Sequence, residues 1–373
     1  MVIHHLGNAL TLLGHNVTVL APRDHRPDSP IPRNYSLERY GLSTFPGSGK
    51  LGIQTVAAIL KARRALKTKG VDVVHVHTLS DQGTGALRIG EMYHLPVVGT
   101  PHGAEVQTLA EVGYGYRLDR KRERQIRRNA QCCARLTAVS ESMRQVLVEL
   151  QSEPDKISVI PNGIWWEQYQ HPMNRRAIRQ EFGLPQDGII VISVGRNHMI
   201  KGFKYGVEAL ARWVPKCGRI HYLIVGRGTE PLRSLADHLG VSDYLHLPGE
   251  LLPEAVTQLY HAADIFLSTS LMESFGLSFL EAMASGLASV VTNVPGNKDL
   301  AAPEHSFLVP RADPDSIVDA VCTLAESQSS RAAMGKKARL IAREYDWTKI
   351  ARRYEKVYQD VRFAFGQRRH HIG

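Results

Sequence analysis

The chain has 373 residues, 43% of them apolar and 22% charged, with four cysteines and a formal net charge of +10. The length suggests two domains, and the composition is that of an ordinary globular protein. No stretch approaches the ~20 apolar residues of a membrane-spanning helix, and no basic segment followed by an apolar run opens the chain as a secretory leader would. Cys132, Cys133, Cys217 and Cys322 lack the spacing of a metal site, so a reducing cytoplasm is the expected setting. The positive balance suits an anionic partner: a nucleotide-sugar, an anionic lipid or a nucleic acid.

In chain order, Val2 to Leu13 reads as an amphipathic helix with Val2, Leu6, Leu10 and Leu13 on one face, ended by Gly14. Val17 to Leu20 follows as a strand. Residues 22–50 are rich in Pro, Arg, Ser and Gly and read as a long loop with one short strand. Gly47-Ser-Gly-Lys50 lacks the upstream glycine and the following Ser/Thr of a phosphate loop, and is rejected as one. Gly52 to Lys69 is a helix with a basic outer face. Val71 to His77 is a buried strand with His75 and His77 on one face. No third metal ligand is suggested nearby, so packed or cleft-rim histidines are the better reading. Leu95 to Glu105 is a strand ending in a loop, and His102 falls at the carboxyl end, where such sheets bind ligands.

The most basic region is Tyr116 to Arg135, with Arg117, Arg120, Lys121, Arg122, Arg124, Arg127 and Arg128 on an expected helix. A solvated face is the first reading of it; an anionic membrane surface is the second. Leu136 to Ser140 is a strand whose Ser140 is placed to cap the next helix. Ile157 to Ile164 closes the first half.

The second half opens with a helix from Arg175 to Phe182, stopped by Gly183 and Pro185, then strand Ile189 to Val194. Gly195-Arg-Asn-His-Met-Ile-Lys-Gly202 puts Arg196 and Lys201 at that strand's carboxyl end, where two cations can neutralise a departing diphosphate. Strands at Tyr222 and Leu245 end in Gly226-Arg-Gly228 and in Gly249-Glu250, each of which an ordinary turn explains as well. Strand Ala263 to Ser270 leads into Glu273-Ser-Phe-Gly-Leu-Ser-Phe-Leu-Glu281, a strand-to-helix turn bracketed by two carboxylates. The amides of Phe275, Gly276 and Leu277 lie in the first helical turn, without intrahelical partners and at the positive end of the dipole. That is an anion site suited to a diphosphate, with a carboxylate at either end for hydroxyl-rich groups. Glu281 is expected about two turns inside the helix.

The run Ser268 to Gly286 resembles the E-x7-E signature of family 4 of the retaining glycosyltransferases, which have the GT-B fold. Leu95 to Glu105, the Val159-Ile-Pro-Asn-Gly-Ile164 segment and Gly195 to Gly202 resemble further segments of that family, with Asn197 where a leucine is usual. The likeness runs from Leu13 to Tyr358. It implies an α/β protein of two Rossmann-like domains facing across a cleft. The expected division is an N-terminal domain 1–164, a nucleotide-sugar-binding domain 165–344, and a final helix 345–373 that crosses back, with a basic irregular tail from Gln367.

The resemblance also implies the activity: transfer of a sugar from a nucleoside-diphosphate sugar, UDP- or GDP-linked, to an acceptor hydroxyl with retention. No cofactor and no metal are implied. His102, Arg196, Lys201 and Glu273 are the expected catalytic residues. Gly195, Gly249, Glu250, Ser274, Phe275, Gly276, Leu277 and Glu281 are the expected donor-binding ones. Thr292 to Asp299 departs from the pattern: a second glycine and a Glu are missing, and Asp299 is the candidate substitute. A cytoplasmic enzyme is expected, meeting an anionic inner membrane face through the Arg117–Arg128 helix and binding no nucleic acid.

One departure concerns the start. The chain opens on a helix, whereas a doubly wound sheet opens on a strand near its middle. The expectation is a strand and glycine-rich loop encoded in frame upstream of Met1, without which neighbouring edges stay unpaired. The readings kept against transfer are a non-catalytic anion-binding protein of the same fold and a sugar-phosphate synthase or epimerase.

Overall fold

A computed structural model describes residues 2–22, 33–40, 62, 66, 70–171 and 173–370. The chain divides into two compact units, Met1–Gly163 with Trp347–Gly373, and Ile164–Asp346. The expected helix Gly52 to Lys69 and the rejected phosphate loop lie outside the described residues, apart from Ala62 and Leu66, both helical.

In the first unit, helix Val2–Leu12 buries Leu6, Ala9 and Leu10, one stripe at helical spacing. Gly14 leaves it at φ +92°, a conformation cheap only for glycine. Strand β1 (Thr18–Pro22) pairs in parallel with β2 (Ser36–Tyr40). A separate parallel sheet has the order β3-β4-β5-β6, from β3 (Val74–Val76), β4 (Val97–Gly99), β5 (Arg135–Ala138) and β6 (Ile157–Val159). Among the described residues no ladder joins β1 to β3. Ser140 caps helix Glu141–Glu149 by accepting from the Met143 amide at 3.2 Å.

The last helix, Trp347–His370, belongs to this first unit. It buries Trp347, Ile350, Tyr354 and Val361, and its Glu355 meets His15 at 3.0 Å. The irregular tail expected from Gln367 is instead helical as far as His370. Once a helix is nucleated, each further residue gains a hydrogen bond for the dihedrals it fixes, so a polar end can prolong it.

The second unit holds a six-stranded parallel sheet in the order β12-β11-β10-β7-β8-β9. Its strands are β7 (Ile189–Val194), β8 (Ile220–Val225), β9 (Leu245–Gly249), β10 (Ile265–Ser268), β11 (Ala288–Thr292) and β12 (Ser306–Val309). They are runs of Ile, Val and Leu because helices cover both faces; Val191, Ile224, Ile265, Leu267 and Val290 lie wholly in the core. The chain builds outward from β7 through β8 to β9, then returns to the other side of β7 with β10 and builds outward again. At such a reversal the turns after the two central strands diverge and leave a crevice.

Two devices the sequence did not announce hold this unit together. Helices Phe203–Cys217 and Pro314–Glu326 are joined by a Cys217–Cys322 disulfide and by the ion pairs Arg212–Asp315 and Lys216–Asp319. No cysteine pairing was legible, because the partners stand 105 residues apart. The other device is Arg179, only 3% exposed. Its guanidinium donates to the carbonyls of Ala262, Pro185, Gln186 and Gly188 and to Asp264 Oδ2 at 2.8 Å. The same carboxylate oxygen accepts from the Ile190 amide at 2.8 Å. Asp264 Oδ1 also meets Arg175 at 2.5 Å, so loss of Arg179 leaves the carboxylate a partner but strips four buried carbonyls of their donor, at a combined cost of about 3–5 kcal/mol. Arg179→Ala is therefore expected to lower the stability of the second unit by about that amount in urea unfolding, whereas Arg212→Ala, in an exposed pair, should cost under about 1 kcal/mol.

Candidate active site

The turns that follow β7 and β10, neighbours at the reversal of strand order, are tied to each other. After β7, the Gly195 amide donates to Val225 O and the Asn197 amide to Arg227 O, each at 2.9 Å. The chain then makes a short turn, Met199–Lys201. Gly202 follows at φ +60°, with Thr269 O only 2.3 Å from where a Cβ would stand. Any side chain there would separate the two turns, which is the physical reason for glycine after Lys201. Thr269 Oγ1 donates to Lys201 O at 2.9 Å, and the Leu271 amide donates to Ile200 O at 2.7 Å.

Side chains converge on the same place. Lys201 Nζ lies 2.6 Å from Glu273 Oε2, both groups being mostly shielded from solvent. The lysine stem runs over Gly195, its Cε 3.5 Å from the position of an added Cβ. Arg196 is exposed beside it. His198 has its pKa lowered by burial first and then by the Arg196 and Lys201 charges, which marks the turn as electropositive.

The loop after Glu273 bends into helix Leu277–Ala284 through Gly276, at φ +85°. Among the described residues the amides of Phe275, Gly276 and Leu277 make no hydrogen bond. The Ser274–Phe275 peptide lies against Gly296, where an added Cβ would come within 2.6 Å of both Ser274 C and Phe275 N. That close approach explains the glycine kept in Thr292 to Asp299. The next residue, Asn297, is wholly buried, donates to Ser268 Oγ at 3.1 Å, and leaves its Oδ1 without a partner.

Glu281 lies one turn inside the helix, not two, because the left-handed Gly276 delays the helix start to Leu277. Its Oε2 accepts from Tyr260 Oη at 3.1 Å. Burial pushes its pKa up to about 7, opposed by the Tyr260 hydrogen bond and the Lys201 charge. Tyr169 is held well above the usual phenol range, by burial and then by the Glu281 charge. At the end of β9, Gly249 stands at φ +79° and its carbonyl accepts from the Gly226 amide at 2.8 Å. Glu250 follows, exposed.

His102 belongs to the first unit, in the loop after β4. Its amide donates to Glu105 Oε1 at 2.9 Å, so a buried carboxylate pins the loop from within. Its Nε2 lies 3.0 Å from His77 Nδ1, with the rings stacked at 5.3 Å. Burial lowers its pKa to about 4, leaving a neutral imidazole at neutral pH. His75 packs on His77, its nitrogens engaged by Tyr358 Oη at 2.7 Å and Thr100 Oγ1 at 2.6 Å. Among the described residues no three His, Cys, Asp or Glu side chains group as a metal site.

The second unit thus brings together Gly195, Lys201 and Glu273, with Arg196 on the same turn as Lys201 and the amides of Phe275 to Leu277 on the same loop as Glu273. Reading the sequence missed Tyr260, Tyr169, Asn297, His77 and Glu105 as their supports. For Glu105 a signal existed, a carboxylate three residues after His102; for the tyrosines none did, because they come from distant elements.

The raised pKa of Glu281 has a thermodynamic consequence. A carboxyl that binds its proton more tightly when folded loses stability as pH rises from the unfolded value of 4.5 towards about 7. Glu281→Gln keeps an acceptor for Tyr260 without the buried charge. Thermal unfolding should find this variant more stable than the parent at pH 8, by about 3 kcal/mol, with the difference vanishing by about pH 4.5.

Comparison with known proteins places the chain in a family. Residues 1–165 match the family described as Glycosyltransferase Family 4, and residues 174–341 match Glycosyl transferases group 1. The chain is 31% identical over 312 residues to the D-inositol 3-phosphate glycosyltransferase of Corynebacterium glutamicum (strain R), covering 78% of this chain and 72% of that one. Sucrose-phosphate synthase from Thermosynechococcus elongatus superposes with a TM-score of 0.82 at 21% identity, covering 97% of this chain and 93% of that one. Anabaena HepE in complex with UDP-glucose does so with a TM-score of 0.74 at 19% identity, covering 87% and 86%. These structural likenesses establish the fold, GT-B with two Rossmann-like domains. The two family matches and the relative at 31% identity show that the chain belongs to glycosyltransferase family 4.

Proposed function

We propose that this glycosyltransferase takes its sugar from a nucleoside-diphosphate sugar and transfers it to an acceptor hydroxyl with retention of anomeric configuration. The observation that carries the reading is the meeting of two turns: Arg196 and Lys201 on one, the free amides of Phe275 to Leu277 on the other. The difficult step is departure of a nucleoside diphosphate from an oxocarbenium-like carbon. Arg196, Lys201 and the three amides take up the charge that develops on the leaving oxygen, a role in which fixed donors need no reorganisation. The two cations supply what a divalent metal would, so the reading requires none.

Glu273, paired with Lys201, contacts the hydroxyls of the donor sugar, and Glu281 serves the ribose hydroxyls. The bond from the sugar carbon to the diphosphate breaks, the acceptor oxygen bonds to that carbon on the same face, and its proton passes to the departing phosphate oxygen. Support for the donor class comes from relatives: HepE is described in complex with UDP and with UDP-glucose. A UDP-sugar is therefore the first donor to try, and a GDP-sugar the second.

The same reading extends to the surface on which the acceptor is met. Helix Arg120–Cys132 exposes Arg120, Lys121, Arg122, Arg124 and Arg128, and Tyr116 and Leu118 stand exposed just before it. Exposed apolar groups beside a basic face suit an anionic membrane. Arg117 does not belong to that face: it donates to Val106 O at 2.9 Å and pairs with Glu123 at 3.4 Å.

Arg196 is exposed, so Arg196→Ala should fold normally while lowering kcat by about 10²–10³-fold; turnover within threefold of the parent would remove it from the reaction. An NMR assignment of the product anomer from an α-linked donor should give the α-product, in the presence of EDTA as in its absence. Sedimentation with phosphatidylglycerol vesicles should carry the protein down at low salt, and Arg120→Glu with Arg124→Glu should abolish that.

A further inference from the structure

The second unit has a pocket of about 570 Å³ away from the two turns, at the carbonyl end of helix Leu277–Ala284 rather than at its start. It is lined by Trp166, Ser285, Gly286, Lys336, Arg339 and Arg343, among others, and by no carboxylate. Nothing in the glycosyl-transfer reading uses it.

Its construction explains the gathering of charge. Lys336, Arg339 and Arg343 are spaced three and four apart along helix Gln328–Ala342 and the turn that follows, so they share one face. That face is brought close by two glycines. A Cβ on Gly335 would come 2.0 Å from Gly286 O, and one on Gly286, at φ +82°, would meet Arg339 Cδ at 2.9 Å. With both absent, the helix settles onto the Ser285–Gly286 turn and Arg339 reaches over Trp166, its Cζ 6.0 Å from the ring centre. Gln170 Oε1 accepts from Arg339 Nη2 and holds that guanidinium towards the pocket. Lys336 and Arg343 are exposed, and neither side chain has a hydrogen-bond or ion-pair partner among the described residues.

Like charges at this spacing oppose the helix they stand on. A basic last turn suits the helix dipole, but that effect calls for neither an open pocket nor an arginine fixed by a glutamine. Three cations about one hollow, one of them pre-oriented and a fork able to grip two oxygens, match the dianionic head of a phosphomonoester. A volume within the roughly 300–1,000 Å³ usual for small-molecule sites leaves room for an organic part against Trp166. We propose that this pocket binds a small phosphomonoester, at a site separate from that of the nucleotide.

Thermal unfolding with inorganic phosphate, glucose 6-phosphate and glucose, at ionic strength matched with sodium chloride, tests it. Glucose 6-phosphate at ten times its Kd should raise the midpoint by about 3 °C, equimolar phosphate should raise it less, and glucose should leave it unchanged. The rise should persist in Arg196→Ala, which separates it from the nucleotide site, and should vanish in the double variant Lys336→Ala with Arg343→Ala. Both substituted residues are exposed, and a circular dichroism spectrum identical to the parent's confirms that the double variant folds. No rise beyond the salt control, or one that survives the double substitution, overturns the site. Equal rises from phosphate and ester overturn the ester assignment. None of these outcomes depends on whether the chain transfers a sugar.

Discussion

The interaction on which the rest of the second unit depends is the tie between the turns after β7 and β10. Two hydrogen bonds and one ion pair hold it: Thr269 Oγ1 to Lys201 O, the Leu271 amide to Ile200 O, and Lys201 to Glu273. It forms only because Gly202 lets the backbones approach. Without it a cation-bearing loop and an amide-bearing loop would be two separate surface features. With it, Lys201 is fixed beside the open amides by contacts within the chain.

Burial then sets the state of the groups around that tie. Glu281 is poorly solvated and would lose its charge but for Tyr260 and Lys201, so its protonation is balanced near neutrality. His102 is pushed the other way and stays neutral. Neither condition follows from residue type. A glutamate and a histidine in water would differ from these by more than two pH decades, and only the surrounding low-dielectric packing moves them.

The histidines of the first unit show how a plausible site can resolve into structure. His75 and His77 share a strand face, as the alternation of a strand requires. Yet His75 spends both nitrogens on Tyr358 and Thr100, and His77 turns to His102. The bonding partner Tyr358 lies 283 positions further along the chain. The basic helix resolves similarly: Arg117 is absorbed by Val106 and Glu123, while Arg120 to Arg124 stay outside.

By itself, the amino-acid order determined the α/β class, strands β7 to β10 of the second unit to within a residue or two at most ends, and the residues of the Gly195–Gly202 and Glu273–Glu281 runs; it did not mark β12. It could do so because hydrophobic runs, glycine turns and helix starts are local, and each leaves its mark within ten residues. The sequence did not determine that β10 returns beside β7, that Arg179 grips four carbonyls, that Cys217 meets Cys322, or that Tyr260 supports Glu281. Those pairings join segments up to 105 residues apart, where many partners are compatible with any local pattern. Only the simultaneous packing of both faces of one sheet selects among them.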